Sequence, residues 1–326
     1  MTVTLSARIR AVASPLTRGM LAPLAAETRV VQFQSRLDDD DCVRVAELLN
    51  PRPDVKLRAY GSYDGSITDL EFLRFFPEIK AFSADALYNS LRDITGLRHV
   101  REDLAELGIG QTKARLDLAP LERFQSLERL WLEKQTRGLA VVAKLRSLVD
   151  LSLRSITLPD LSLLTALSRL RLLDIKLGGT KDLSLLPEIG RIEYLELWLI
   201  RGLSDLSPIE DMRHLRYLFL QALKQVDRLP SLSALAQLRG VHLETMKGLT
   251  DFAPLSTAPA LEELWLVDLP QLTPERLECL VGHPTLQRLW VGTGSVKRNE
   301  AIRSLLPLAD SASASWRSRV RDGTPR

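Results

Sequence analysis

The chain has 326 residues, 45% of them hydrophobic and 26% charged, with a formal charge of only +3, of which the stretch from Asp310 to Arg326 supplies +2. A near-neutral body gives bulk charge no reason to invoke nucleic acid or an anionic membrane, and no apolar run approaches the roughly 18 residues needed for a membrane span. Two cysteines far apart, Cys42 and Cys279, exclude a disulfide framework and fit a reducing, cytoplasmic setting, each expected as a small buried apolar group on a helix.

Residues 1–28 are expected to be an N-terminal extension, partly disordered. They carry Arg8, Arg10 and Arg18 with no acid before Glu27, and Met20 to Ala26 is too short and Pro-interrupted for a secretion signal. Residues 29–60 are expected to form an N-terminal cap or first turn. Val31 and Phe33 alternate as in a strand. Asp38 to Asp41, followed by Val43, Val45, Ala46 and Leu49, predict an N-capped helix, and Val55 and Leu57 a second strand. Ile67 to Leu70 and Phe76-Ile79-Ala81 extend the pattern, and the 28 residues from Ile79 to Leu107 make one long or irregular turn.

From there a Leu-x-x-Leu-x-Leu phrase recurs nine times, at Leu104-Leu107-Ile109, Leu127-Leu130-Leu132, Leu148-Leu151-Leu153, Leu170-Leu173-Ile175, Ile192-Leu195-Leu197, Leu215-Leu218-Leu220, Leu238-Val241-Leu243, Leu261-Leu264-Leu266 and Leu286-Leu289-Val291. Its middle positions are 21 to 25 residues apart. The last two apolar residues of each phrase alternate, which predicts a strand with one inward face, and only stacked neighbours can bury that face. Between strands, Asp-Leu-x-Pro-Leu segments such as Asp117 to Leu121, Asp205 to Ile209 and Asp251 to Leu255 predict short helices opened by Pro. Ser207 to Glu210 has the form of a capping box, and Thr273-Pro274-Glu275 predicts an α-helix to Leu280. Asn299 to Leu306 is expected to close the stack, and residues 309–326 to be a disordered basic tail.

In period and phrase the chain resembles the leucine-rich-repeat superfamily, in short irregular cytosolic-type repeats. The resemblance implies an α/β class solenoid, a horseshoe over residues 61–308 with a parallel concave sheet and short α- or 3₁₀-helices on the convex side. It departs from many members at the bend after each strand, where an asparagine ladder satisfies buried backbone. Here those positions hold Thr112, Gln135, Ile156, Gly178, Ile200, Leu223, Met246, Leu269 and Gly294. This pattern is nearer to the repeats of plant disease-resistance proteins than to internalins.

The residues alternating with the core leucines line the expected concave face. They include Trp131, Tyr194, Glu196, Trp198, Tyr217, Phe219, His242, Glu244, Glu263, Trp265, Arg288 and Trp290. Aromatic residues of this kind anchor interfaces. Even half-buried, six of them offer about 450–750 Å², close to one side of a standard interface. Over nine turns the face carries seven acids and four bases, the wrong sign for phosphate and the right sign for a protein with basic residues around an apolar centre. Side-by-side aromatics can instead be a structural ladder, or be covered by a helix or by Trp316.

No catalytic or metal-binding spacing occurs. There is no His-Glu-x-x-His and no Cys-x-x-Cys; Gly108 to Lys113 lacks the phosphate-loop spacing, and Asp38 to Asp41 lacks alternating calcium ligands. The reading is a non-catalytic, monomeric protein-interaction scaffold without cofactor, on class analogy a bacterial immunity or regulatory protein. Two alternatives stand beside it: a substrate-recognition subunit or effector working with a separate enzyme, and Arg-rich ends (Arg8, Arg10, Arg18, Arg317, Arg319, Arg321) that bind nucleic acid or a membrane surface.

Overall fold

The computed structural model describes residues 8–311 and 316–322. The chain divides between Leu148 and Val149 into two compact units. In the first, strands β1 (Ile9–Ala11), β2 (Val30–Phe33), β3 (Lys56–Tyr60), β4 (Ala81–Asp85), β5 (Glu106–Ile109) and β6 (Arg129–Glu133) each pair in parallel with the next. In the second, β7 (Asp150–Arg154), β8 (Leu172–Lys176), β9 (Tyr194–Trp198), β10 (Tyr217–Gln221), β11 (Gly240–Glu244), β12 (Glu263–Val267), β13 (Arg288–Gly292) and β14 (Ala309–Asp310) do the same. Apart from helix α1 (Asp39–Leu49), the return segments between β1 and β13 are 3₁₀ turns or irregular chain. Successive strands in register place the phrase leucines one above another, and nearly all of them are fully buried. Both units thus have the architecture of a leucine-rich-repeat solenoid.

Several expectations change. In the first unit, residues 8–28 contribute a strand, β1, and Arg10 ties the loop after it by donating to the carbonyls of Gly19, Met20 and Ala22. Residues 1–7 lie outside the described residues. Val31, Leu57, Phe82 and Leu107 are in register, so the early phrase is Ile79-Phe82-Ala84, three residues later than Phe76-Ile79-Ala81. Phe76 and Ile79 mimic the spacing, but Phe76 is buried at the end of the 3₁₀ turn Glu71–Phe75, and the larger Phe82 fills the strand's core position. Helix α1 carries no side-chain cap from Asp38; Asp41 instead accepts the N–H of Leu16. Cys42 is buried, and its thiol is pushed up to about 11 by burial, whereas Cys279 is exposed.

The aspartate of the return segment has a definite job. Asp69, Asp93, Asp117, Asp160, Asp182, Asp205 and Asp251 each accept, through Oδ1, the N–H two residues further on, at 2.8–3.0 Å. In these seven turns the bond closes an Asx turn at or just before the start of the 3₁₀ segment. Hydrogen bonds from the serine two residues on hold Asp160, Asp182 and Asp205 below the usual carboxylate range. The expected capping box at Ser207 does not form; Ser207 bonds back to Asp205, and Glu210 accepts the N–H of Ser231. The segment after Thr273 is 3₁₀ rather than α, over Pro274–Leu280.

Without an asparagine ladder, the bends are satisfied one at a time. Thr112 Oγ1 donates to the Leu91 carbonyl at 2.6 Å. Gln135 accepts from the Leu116 N–H and donates to the Gly110 carbonyl. Thr180 accepts from the Leu158 N–H, and Gln271 donates to the carbonyls of Met246 and Leu249. The bends after β7 to β12 are also opened by a left-handed residue after the strand: Ser155, Leu177, Leu199, Ala222, Thr245 and Asp268, with φ from 49° to 58°. Their N–H groups donate to the last carbonyl of the following strand, at 2.7–3.0 Å. That bond from the neighbouring turn offsets a conformation costing about 1–2 kcal/mol in an L-residue. A branched β-carbon is worse still in this region. Ala222→Val is therefore expected to lower stability by about 1–2 kcal/mol while Ala222→Gly lowers it little or not at all. Urea unfolding of the two variants checks this; equal losses would show the backbone is not the cause.

Candidate functional site

Alternation along the strands of the second unit sorts the outward side chains into three rows. The first row runs Asp150, Leu172, Tyr194, Tyr217, Gly240, Glu263, Arg288. The second runs Ser152, Asp174, Glu196, Phe219, His242, Trp265, Trp290. The third runs Arg154, Lys176, Trp198, Gln221, Glu244, Val267, Gly292. Eleven of the twelve candidate residues have side chains in these rows, among them Arg288, which begins β13 and is half-buried. The twelfth, Trp131, lies on β6 of the first unit, where it packs over Gly108.

The second row begins with a serine and two acids and continues as four ring side chains. Phe219 stacks on His242 at 4.1 Å between ring centres. His242 lies 5.5 Å from Trp265, and Trp265 stacks on Trp290 at 5.5 Å. Trp290 is 39% exposed at the end of this run. In the third row the Arg154 guanidinium lies 5.3 Å from the Trp198 ring, and Gln221 donates to Glu244 at 2.8 Å. Lys176 bridges Asp174 and Glu196 at 3.1 and 2.9 Å, and the Tyr194 hydroxyl donates to Glu196. Burial and the Glu196 carboxylate push the Tyr194 hydroxyl far above its usual range.

The first row is covered, and what covers it is the chain itself. After helix α2 (Val296–Leu305), which replaces the expected Asn299–Leu306 helix and is capped by Ser295, comes the two-residue β14. Helix α3 (Trp316–Arg321) then lies on the outer face of the strands. The expected disordered tail is therefore structured wherever it is described, over 309–311 and 316–322; residues 312–315 and 323–326 lie outside the described residues. Trp316 is buried against Tyr217, stacked at 5.3 Å, with its Nε1 donating to Glu263 at 3.0 Å. The indole fits because β11 begins with glycine: a β-carbon at Gly240 would meet Tyr217 at 2.8 Å and Trp316 at 2.9 Å. Val320 is buried with Leu172 and Tyr194. Arg317 pairs with both Asp150 and Asp174, and Arg319 lies 3.3 Å from Glu263. Ser311 accepts from Trp265 Nε1 at 2.8 Å and donates to Glu263.

Four of the twelve candidates, Tyr194, Glu196, Tyr217 and Glu263, are consequently buried; Trp131, Trp198, Phe219, His242, Glu244, Trp265, Arg288 and Trp290 keep accessible surface. Sequence reasoning named the acidic face and the Arg-rich tail but did not join them. It gave Arg317 and Arg319 to nucleic acid or a membrane surface rather than to this face, and it assigned no role to Gly240 or Val320. The signal was there, in the opposite signs of the two segments and in Trp316, whose docking stood only as one of several covers for the face.

Magnitudes show that the helix is held by a narrow margin. Burying Trp316 gives about 4–6 kcal/mol and Val320 about 2 kcal/mol, and the charged side chains of Arg317 and Arg319, each counted once, about 3–6 kcal/mol together. Ordering the seven residues 316–322 costs about 7–14 kcal/mol of backbone entropy. The two sides nearly cancel.

His242 lies beneath this cover, edge-on to Trp316 at 6.1 Å. Burial holds its pKa down to about 4. The Glu244 carboxylate 3.2 Å from Nε2 pulls the other way, but the pair is not aligned for a hydrogen bond, and Glu244 is itself raised by burial.

No family model matches the chain, and no curated protein is similar to it in sequence. Solved structures are similar in fold. An internalin, InlF, from Listeria monocytogenes superposes with a TM-score of 0.57 at 17% identity, covering 94% of this chain and 86% of that one. The functional domain of InlJ from Listeria monocytogenes, which includes a cysteine ladder, gives 0.51 at 14% identity over 81% of this chain; this chain spans 53% of that domain. At such identities the likeness is one of fold: the chain shares the leucine-rich-repeat architecture.

Two outcomes follow from the geometry. Gly240→Leu fills the space of the indole and is expected to expel Trp316; trypsin then cuts after Arg317, Arg319 or Arg321 about tenfold faster or more, and an unchanged rate would mean the indole is not held in this notch. Unfolded histidine titrates near 6.5, so below that pH the unfolded chain takes a proton that folded His242 refuses. Stability therefore falls as pH drops from about 6.5 to about 4, by about 2–3 kcal/mol from this group. His242→Phe should remove that part of the acid sensitivity in urea unfolding at pH 7.5 and 4.5; an identical pH dependence in the variant would count against it.

Proposed function

We propose that the chain is a non-catalytic protein-binding scaffold, and that its partner docks on the aromatic run of the second unit. The observation that carries this is the file of stacked rings Phe219, His242, Trp265 and Trp290, ending in exposed Trp290 and flanked by Trp198. A stack needed only for its own stability gains nothing from an exposed end, whereas large rings beside carboxylates suit a partner with an apolar centre and basic rim. Among the described residues no three His, Cys, Asp or Glu side chains are grouped to hold a metal ion, and no helix is long and apolar enough to cross a membrane. The two free cysteines suit a reducing compartment such as the cytoplasm. A bacterial immunity or regulatory role is the specific version of this reading, and it rests on the mildly acidic face.

The Arg-rich ends give less support to nucleic acid or membrane binding. Arg10 is spent on three backbone carbonyls, and Arg317 and Arg319 on buried carboxylates. The testing variant is the pair Phe219→Ala and Trp290→Ala, which spares the residues that hold α3. Affinity capture with the wild-type chain names a partner, which is then purified. The pair is expected to weaken that partner's binding at least about tenfold, as loss of two anchor residues should, while the unfolding midpoint moves little. Undiminished binding to the pair would place the partner elsewhere.

A further inference from the structure

The notch around Gly240 is more specific than an aromatic surface. Its floor lacks a β-carbon, so an indole enters flat against Tyr217. Its wall carries Glu263, nearly fully buried, which accepts from the indole N–H. Next to Tyr217 along the sheet, Tyr194 on β9 and Leu172 on β8 receive an aliphatic side chain one helical turn further on. Asp150 and Asp174, both buried, form a pincer for one guanidinium, and Glu263 lies beside another. Together these groups read out an indole at the first position of a helix, arginines one and three residues later, and an aliphatic residue four later. Helix α3 satisfies all of them at once.

The same helix is held by a near balance of burial against ordering, and it hides part of the face on which the proposed partner docks. A cap meant only to close the end of a stack would cover the last strand. This one lies over the first-row positions of β8 to β12, in the middle of the unit, while α2 follows β13. We infer that the notch is a recognition site for a partner helix presenting Trp-Arg-x-Arg with an aliphatic residue one turn on, and that the chain's own Trp316–Arg321 helix is its displaceable occupant. This rests on the binding-scaffold reading and gives that partner a chemistry. Access to the face is then set by competition: a tethered segment acts at an effective concentration of about 1 mM, and a rival sees only the fraction of molecules whose notch is open.

The probe is a labelled synthetic peptide with the sequence of residues 309–326, titrated by fluorescence anisotropy into the full-length chain. With the wild-type chain, the resident helix competes and binding is weak. With full-length Trp316→Ala, whose own helix no longer fills the notch, the peptide is expected to bind at least tenfold more tightly, with Kd on the order of 0.1 mM or below if the tethered helix is seated about nine-tenths of the time. Adding Gly240→Leu to that chain should abolish binding, and a peptide with its own tryptophan replaced by alanine should not bind. Full-length Arg317→Glu gives the same comparison through the ion pairs alone, should Trp316→Ala compromise folding as judged by circular dichroism. Equal affinity for wild-type and both variants, or no binding to a folded variant, would make α3 a fixed part of the fold and overturn the inference. A wild-type chain that dimerises with concentration, each helix in the other's notch, would overturn it too by making a second copy the occupant. The partner-binding reading stands or falls separately, on Phe219 and Trp290, which the peptide's site does not need.

Discussion

Everything in this molecule depends on one constraint: a five-residue strand with alternating leucines cannot bury its apolar face alone. Register does the rest. Because each strand within a unit pairs in parallel with the next, the inward leucines of one turn land on those of its neighbours, and the outward residues fall into straight rows. The corner after each strand obeys the same rule. A left-handed residue there is costly by itself and is stabilised by a hydrogen bond to the strand of the following turn. Core, corner and face are each completed by a neighbour rather than within the repeat.

This explains what could be read from the sequence. The leucine phrase from Leu104 to Val291 sets strand, register and face, because periodic burial is a collective signal repeated nine times. Where one residue decides, the reading slips. Phe76-Ile79-Ala81 has nearly the right spacing, yet the backbone chooses Phe82, whose bulk fills the inward position. Ser207 to Glu210 looks like a capping box, yet the carboxylate two residues before the serine reaches its N–H first. Asp-Leu-x-Pro-Leu was visible as a pattern; its reason, an Asx turn repeated on both units, needed coordinates. The bends posed the opposite problem, since scattered Thr and Gln side chains replace a regular ladder and leave no periodicity to detect.

The binding face was legible as a list of residues and not as a surface. Alternation names Tyr194, Tyr217 and Glu263 as outward, and they are outward; it says nothing of what lies above them. Covering those three is helix α3, whose three arginines and one serine among six residues read locally as too polar to fold. Its stability comes from distant groups: Asp150 and Asp174 for Arg317, a missing β-carbon at Gly240 for Trp316. Such long-range complementarity becomes visible in sequence only when the sign of a terminal segment is set against the sign of the face.

The straight rows have a consequence for the size of any helical guest. Parallel strands repeat about every 4.8 Å, while a helix lying across them advances about 5.4 Å per turn. Neighbouring turns of the guest are therefore nearly in step with neighbouring strands, slipping by about 0.6 Å each time. After roughly four turns the mismatch reaches half a strand, and side chains that met rows at the start point between them. The sheet thus acts as a vernier: it can hold a helix of up to about 15 residues in phase, and a longer guest must bend, break or leave the surface.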